Sequence, residues 1–395
     1  MIFAPYIYSW SVGNSVYKIQ TLMDGRNIGL EYITLAFVIG DSTGNITSDI
    51  YNVYDDITKF QNSGGKVILS FGGAIGPYLE DIMTEDEQYN IVNKLLRDTG
   101  IRMVDYDVEG AYLNMIDKND QRNKVISKLQ NTYSDLYVSY TLPVAAPSRW
   151  NRGGLLDNSI EMLKNAIQNN VNISIVNLMT MDYYIQLNKP LGYIACDIAD
   201  IVKDQLKQLY PTYQDNILYN MIGITPMIGR NDDNSIFSTD DAKILVNCAI
   251  QKGLGLLSFW SVQRDQIGIG DLGIYSEVNI EDFEFTKIFL QIPKNSFPIT
   301  TTIPITTTPI ITTPTTIPIT TTPIITTPIT ITHFSTTTTP ITTNKYFTWQ
   351  TGHKYKLGDI VIYNNNYYRC ELEHTSLPGW YPDIVPVLWS KYNNC

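Results

Sequence analysis

The sequence predicts an α/β fold, a (β/α)8 TIM barrel followed by a disordered linker and a small all-β module. Three observations carry this. Short apolar runs alternate with helix-periodic segments eight times across residues 1–293. From Ser296 to Asn344 there is no Lys, Arg, Asp or Glu, and Ile-Thr-Thr-Thr-Pro and Pro-Ile-Thr-Thr recur. Residues 345–395 then form a short stretch rich in Tyr and Trp.

The expected strands are Phe3–Tyr8, Tyr32–Val38, Val67–Phe71, Met103–Val108, Tyr137–Leu142, Ile173–Met181, Met221–Thr225 and Gly255–Trp260. Between them, Asp86–Thr99, Asn119–Thr132, Ser159–Asn169 and Thr239–Lys252 have helical periodicity. A doubly wound open sheet is the competing arrangement, but no GxGxxG follows an early strand. In residues 294–344, proline at every few positions blocks helix and sheet interiors, so the segment is expected to be an extended, polyproline-like spacer. In residues 345–395, strands are expected near Ile360–Tyr363 and Tyr367–Glu371, joined through Asn364-Asn365-Asn366, residues that tolerate positive φ.

Composition removes several function classes. The formal net charge is −11 over 395 residues, which argues against a nucleic-acid partner because phosphate binding needs a basic face. The three histidines, His333, His353 and His374, lie near the end of the chain. Ser-His-Asp and Cys-His catalysis, and most zinc sites, are thereby excluded from the barrel. Chemistry there must rest on carboxylates, Tyr, Lys or Cys. Of the four cysteines, Cys370 and Cys395 share the small module, where a disulfide would compensate for a small core. Cys196 and Cys248 are expected to be buried thiols. No apolar run is long enough to span a membrane. The first residues, Met1-Ile-Phe-Ala-Pro-Tyr-Ile-Tyr, lack the regions of a secretory leader and read as the first strand.

The central motif is Val104-Asp105-Tyr106-Asp107-Val108-Glu109-Gly110. Residues two apart on a strand share a face, so Asp105, Asp107 and Glu109 point one way and Tyr106 and Val108 the other. In a barrel the inward set lines the core and its last member reaches the C-terminal mouth. Crowded, buried carboxyls raise one another's pKa, which is how a carboxyl becomes a general acid near neutral pH. An acidic edge strand and a divalent-metal site are the competing readings of these three residues.

Asp-x-Asp-x-Glu at the end of the fourth strand resembles the signature of family 18 glycoside hydrolases, the chitinases and endo-β-N-acetylglucosaminidases. Ser70-Phe71-Gly72-Gly73 on the third strand is similar to that family's Ser-x-Gly-Gly motif. Met179-Thr180-Met181-Asp182-Tyr183 on the sixth resembles its Met-x-Tyr-Asp motif, and Trp260 stands where the family places a tryptophan floor. Two positions depart from the pattern. Arg102 replaces the first Asp of Asp-x-x-Asp-x-Asp-x-Glu and could pair with Asp105. Met181 stands where a tyrosine often stands, leaving Tyr183, Tyr184 or another tyrosine to supply the hydroxyl.

The resemblance implies substrate-assisted retaining hydrolysis of chitin, an exception to the two-carboxylate scheme. Its implied catalytic residues are Glu109, Asp107, Asp105 and Asp182. Implied binding residues are Trp260, Tyr183, Tyr6, Gly72 and Gly73. No metal and no cofactor is expected. The segment between strands seven and eight lacks the long insertion of processive members, which implies an open cleft and endo action. Gly358-Asp359, Tyr368-x-Cys370, His374-Thr375-Ser376, Pro378-Gly379-Trp380 and Leu388-Trp389 resemble chitin-binding modules of carbohydrate-binding families 5 and 12. Exposed Trp380 and Tyr381, and then Trp349, are the candidates for its binding face. The implied partners are chitin and N-acetylglucosamine oligomers, met by an extracellular monomer. An endo-β-N-acetylglucosaminidase and a non-catalytic chitin-binding lectin remain the alternatives.

Overall fold

The apolar runs become barrel strands. In this computed structural model, which describes residues 1–41, 43–148, 151–293, 347–350, 353–364, 366–370, 374–376, 381–382 and 388–392, β1 has two segments, Ile2–Phe3 and Tyr6–Tyr8. The others are β2 Tyr32–Val38, β3 Lys66–Gly72, β4 Met103–Asp107, β5 Tyr137–Ala145, β6 Ile175–Met179, β7 Ile222–Thr225 and β8 Leu256–Leu257. Neighbours pair in parallel around the ring. The first segment of β1 pairs with β8 (Ile2↔Leu256) and its second with β2 (Tyr6↔Thr34), which closes the barrel. Pro5 lies between the segments, where the missing N–H costs no ladder bond, and its carbonyl accepts from Thr34 N–H at 2.9 Å.

The helices of the outer ring are α1 Leu22–Asn27, α2 Tyr54–Asn62, α3 Glu85–Thr99, α4 Ile116–Thr132, α5 Asp157–Gln168, α6 Leu191–Leu209, α7 Thr239–Lys252 and α8 Glu284–Phe289. Their ends follow local chemistry. Thr84 and Glu87 form a capping box at the start of α3, and Gly100 ends it at φ 70°. Ser238 with Asp241, and Gly253 at φ 71°, do the same for α7. Each helix turns an apolar stripe inward, as Val92, Leu95 and Leu96 do on α3. Among the described residues no helix is long and apolar enough to cross a membrane.

Inside the barrel the side chains stack in layers. Ile2, Ala4, Ile68, Met103, Ile175 and Leu256 form an apolar plug at the N-terminal end. One step further along β3, β4, β5 and β6, the inward residues are Ser70, Asp105, Ser139 and Asn177, all buried. The outward residues of β4, Val104 and Tyr106, and Val108 just beyond it, join the large core between sheet and helices. Tyr106 stacks on Phe71 with ring centroids 5.1 Å apart. The alternation read from the sequence therefore holds.

The cysteines of the barrel are a correction. Cys196 on α6 and Cys248 on α7 are not separate thiols but a disulfide, with Cα atoms 6.2 Å apart. Helices α6 and α7 pack side by side, which brings together two residues 52 positions apart. The expected partner of Cys370, Cys395, lies outside the described residues, as does the whole segment 294–346.

The chain divides into the units Met1–Pro298 and Ile299–Cys395. In the second, β9 Phe347–Thr348, β11 Ile360–Tyr363, β12 Asn366–Cys370 and β14 Trp389–Lys391 form a sheet, while β10 Lys354–Tyr355 pairs with β13 His374–Thr375. Asn364, at φ 46°, starts the turn between β11 and β12. Tyr355, Val361, Tyr368, Leu388 and Trp389 supply the core.

Replacing Cys196 with Ser should lower the unfolding free energy by about 2–4 kcal/mol, read as a lower urea midpoint, with a slope that rises because the unfolded chain without the bridge is less compact. An unchanged midpoint would show that the bridge does not form in solution.

Candidate active site

The C-terminal ends of the strands open into a cavity of about 380 Å³, the location where barrels of this kind carry their sites. Its lower wall is organised by Asp105. Ser70 Oγ (2.7 Å) and Tyr6 OH (3.0 Å) donate to Oδ2 of Asp105. Ser139 Oγ (2.7 Å) and Thr141 Oγ1 (2.9 Å) donate to Oδ1. These hydroxyls come from β1, β3 and β5. Burial pushes the Asp105 carboxyl above its usual range, and the hydroxyls oppose that shift.

Asp107 is the next inward residue, buried, and Glu109 follows at the mouth; both line the cavity. Burial raises the Asp107 carboxyl well above the ordinary value, and the charges of Glu109 and Asp105 raise it further. Its Oδ1 is buried with no hydrogen-bond partner among the described residues. Glu109 is pushed up to about 7, first by burial and then by Asp182. Asp182 is also pushed up to about 7, by burial and by Asp232 and Asp233, against backbone N–H bonds that favour its charge. Asp182 sits at φ 50° just beyond β6. Its Oδ1 accepts from Asp233 N–H at 3.2 Å, while Asp233 Oδ2 accepts from Tyr184 N–H at 3.1 Å. The ends of β6 and β7 are thus clasped together.

Trp260 forms an aromatic wall with its neighbours. It stacks on Phe37 at 5.7 Å and 13°, and packs against Tyr6 at 5.6 Å and Tyr8 at 4.9 Å. The structure thus brings Glu109, Asp107, Asp182, Trp260 and Tyr6 to one cavity, with Asp105 beneath them.

Four expectations need correction. Gly72 and Gly73 do not line the cavity. A Cβ on Gly72 (φ 99°) would stand 2.2 Å from the Asp107 carbonyl, and one on Gly73 (φ 89°) would stand 2.7 Å from the Phe37 ring. The motif is small so that two strand ends and a ring can close up. Tyr183 packs against the barrel core instead of facing the cavity, and Met181 faces it. Arg102 does not pair with Asp105. Its guanidinium donates to the carbonyls of Leu96 (2.9 Å) and Ile101 (2.7 Å) and lies 4.2 Å over the Tyr133 ring, on the outside of the barrel. The inward residue below Asp105 is Met103.

Sequence reasoning missed Tyr8, Trp10, Phe37, Asp232 and Arg264, which also line the cavity. Arg264 is fully buried and donates to the carbonyls of Ile228 (2.8 Å), Arg230 (2.8 Å) and Leu272, with its Nε left without a partner among the described residues. A charged residue in the apolar-to-polar stretch just after Trp260 was the available signal. In the module, Tyr381 is 37 % exposed and stacks on Tyr363 at 5.3 Å and 13°. Trp349, expected on the same face, is buried, edge-on to both tyrosines. Trp380 lies outside the described residues.

Residues 348–390 match the carbohydrate-binding module family 5/12. The chain is 28% identical over 289 residues to Endochitinase 11 of Metarhizium anisopliae, covering 67% of this chain and 52% of that protein. It is 27% identical over 326 residues to a probable bifunctional chitinase/lysozyme of Escherichia coli, covering 74% and 34%. The chain thus spans about half or less of the length of these curated relatives. The crystal structure of the catalytic domain of the hyperthermophilic chitinase from Pyrococcus furiosus aligns with a TM-score of 0.64 at 32% identity, covering 73% of this chain and 93% of that domain. With motif order, barrel and cavity all in agreement, the chain belongs to the chitinases of glycoside hydrolase family 18 and carries a C-terminal carbohydrate-binding module of family 5/12.

Proposed function

We propose that this chain hydrolyses the β-1,4 bonds of chitin, with Glu109 as the proton donor. One observation carries the reading: a carboxyl at the mouth of β4, held near pKa 7 by burial and by Asp182, beside a buried Asp107 and an aromatic wall. Such a group is protonated when substrate arrives and can lose its proton during reaction. The sugar's apolar face stacks on Trp260. The substrate's own acetamido oxygen attacks the anomeric carbon while Glu109 protonates the departing glycosidic oxygen. The unpartnered Oδ1 of Asp107 accepts the acetamide N–H, and Asp182 bonds the same group. Glu109, now a carboxylate, takes a proton from the water that reopens the cyclic intermediate. Configuration is retained without an enzyme nucleophile.

The connection from β7 to β8 holds a short hairpin, Gly229–Arg230 with Ile236–Phe237, and α7. This supports an open cleft and endo cutting. The module would hold the barrel on the polymer through Tyr381 and so raise effective substrate concentration. The Cys196–Cys248 bridge favours an oxidising, extracellular setting. Arg102, turned away from the site, lends no support to a non-catalytic lectin.

The Glu109→Gln variant should lose at least about 100-fold in release of oligomers from colloidal chitin, while still binding the polymer. Equal release by parent and variant would remove Glu109 from the acid's role. Product sizes by mass decide between endo and exo cutting.

For the parent, kcat/KM should fall as pH rises through about 7, where Glu109 gives up its proton. The same group affects stability. Its folded pKa is raised, so its contribution is fully present below the ordinary carboxyl range and is lost as pH rises through about 7. Between about pH 5 and about pH 8 the parent's Tm should therefore drop more than that of Glu109→Gln. Parallel Tm curves would contradict the raised proton affinity.

Arg102→Asp should leave kcat/KM within about twofold and lower stability by about 1 kcal/mol through its lost carbonyl bonds and ring contact. A large gain or loss of activity would place this side chain in contact with the site.

A further inference from the structure

Tyr78 lines no part of the cavity and is 3 % exposed. Its hydroxyl lies 2.9 Å from the carbonyl oxygen of Gly73 and 2.9 Å from that of Asp107. It also accepts the backbone N–H of Glu109 at 3.1 Å. A phenol has one proton to give, so it donates to one of the two carbonyls while accepting from Glu109. One hydroxyl therefore ties the end of β3 to the end of β4. It bridges the two peptides on either side of Val108, between Asp107 and Glu109.

The ring is held as firmly as the hydroxyl. It stacks on Tyr112 with centroids 3.6 Å apart and planes at 5°. Tyr112 belongs to the helical turn Gly110–Asn114, directly after Glu109. On another side, a Cβ on Gly72 would stand 3.0 Å from the Tyr78 ring. Arg122, from α4, lies 5.9 Å over the ring, and is itself paired with buried Glu80 of the short helix Leu79–Ile82. The charged groups acting on Tyr78 are thus Glu109 and Asp107 from the end of β4 and Arg122 from α4.

We propose that Tyr78 is a positioning residue for the proton donor: its hydroxyl holds the backbone from Asp107 to Glu109 so that the Glu109 carboxyl keeps its half-buried place at the cavity mouth beside Asp107. This rests on Glu109 being the acid. Without the hydroxyl, the ring still fills its space, but the Glu109 amide and two carbonyls lose their shared partner. The end of β4 then relaxes and Glu109 turns toward water.

The test compares the full chain with its Tyr78→Phe variant. On a soluble chitin oligosaccharide, kcat should fall about 10- to 100-fold with KM changed less than about twofold. In a carbon-13 titration of glutamate carboxyls, with Glu109 assigned by its missing signal in Glu109→Gln, the Glu109 midpoint should move down toward the ordinary value of about 4.3. Parent-like kcat and an unmoved midpoint would overturn the proposal. So would a lower Tm with a loss of kcat that only matches the loss of folded protein and an unchanged midpoint, the mark of a merely structural role. In the parent, the Glu109 amide should be strongly protected from hydrogen exchange; exchange at the free-peptide rate would overturn the proposal without any variant. A parent inactive on chitin would overturn the acid role of Glu109, while the titration and exchange would still decide whether Tyr78 holds it.

Discussion

Asp105 stands where the inside of the barrel changes from apolar to polar. Below it lies the plug of Ile2, Ala4, Ile68, Met103, Ile175 and Leu256. Above it lie Asp107 and the cavity. A carboxylate at that depth is tolerated because four hydroxyls from three strands point at its two oxygens. Each donor fixes its own strand relative to β4, so satisfying one buried charge also sets the spacing of the barrel around the site. Tyr6 takes part twice, through its hydroxyl on Asp105 and its ring against Trp260. The floor of the cavity and the charge beneath it are thereby one unit.

The next two inward carboxyls have no comparable set of donors, and their chemistry follows from this. Asp107 has an oxygen with no partner among the described residues and neighbours of like charge on both sides. Glu109 faces Asp182, which in turn faces Asp232 and Asp233. The crowding works against stability near neutral pH and favours a retained proton in the cavity. Burial raises all three carboxyls, and what each one faces differs: hydroxyl donors oppose the shift at Asp105, while like charges add to it at Asp107 and Glu109.

The parts of the site that could be read from sequence are those governed by a local period. Alternation along β4 put Asp105 and Asp107 inside and Tyr106 and Val108 outside, and the structure has them so. Strand and helix positions followed from the apolar runs and the helical period, and the structure closes two of the helices with capping boxes at Thr84 and Ser238 and a glycine at left-handed φ at Gly253. Side-chain direction outside such a run was not legible. Arg102 precedes β4, and nothing in its sequence neighbourhood says that the carbonyls of Leu96 and Ile101 lie closer than Asp105. Tyr183 follows Asp182, whose backbone at φ 50° breaks the alternation on which the expectation for Tyr183 relied. Cys196 and Cys248 became a pair only through the packing of α6 on α7.

By itself the sequence determined the alternating pattern of the barrel, the acidic face of β4, the order of the motifs and the presence of an aromatic-rich module. Those properties depend on residues near one another in the chain, where a period of two or of about 3.6 decides the outcome. Tertiary structure decided which hydroxyls reach Asp105, why Gly72 and Gly73 must lack side chains, how Arg264 is held, and that Tyr78 grips the backbone beneath Glu109. Each of those depends on strands or loops that are distant in sequence and meet only when the ring closes.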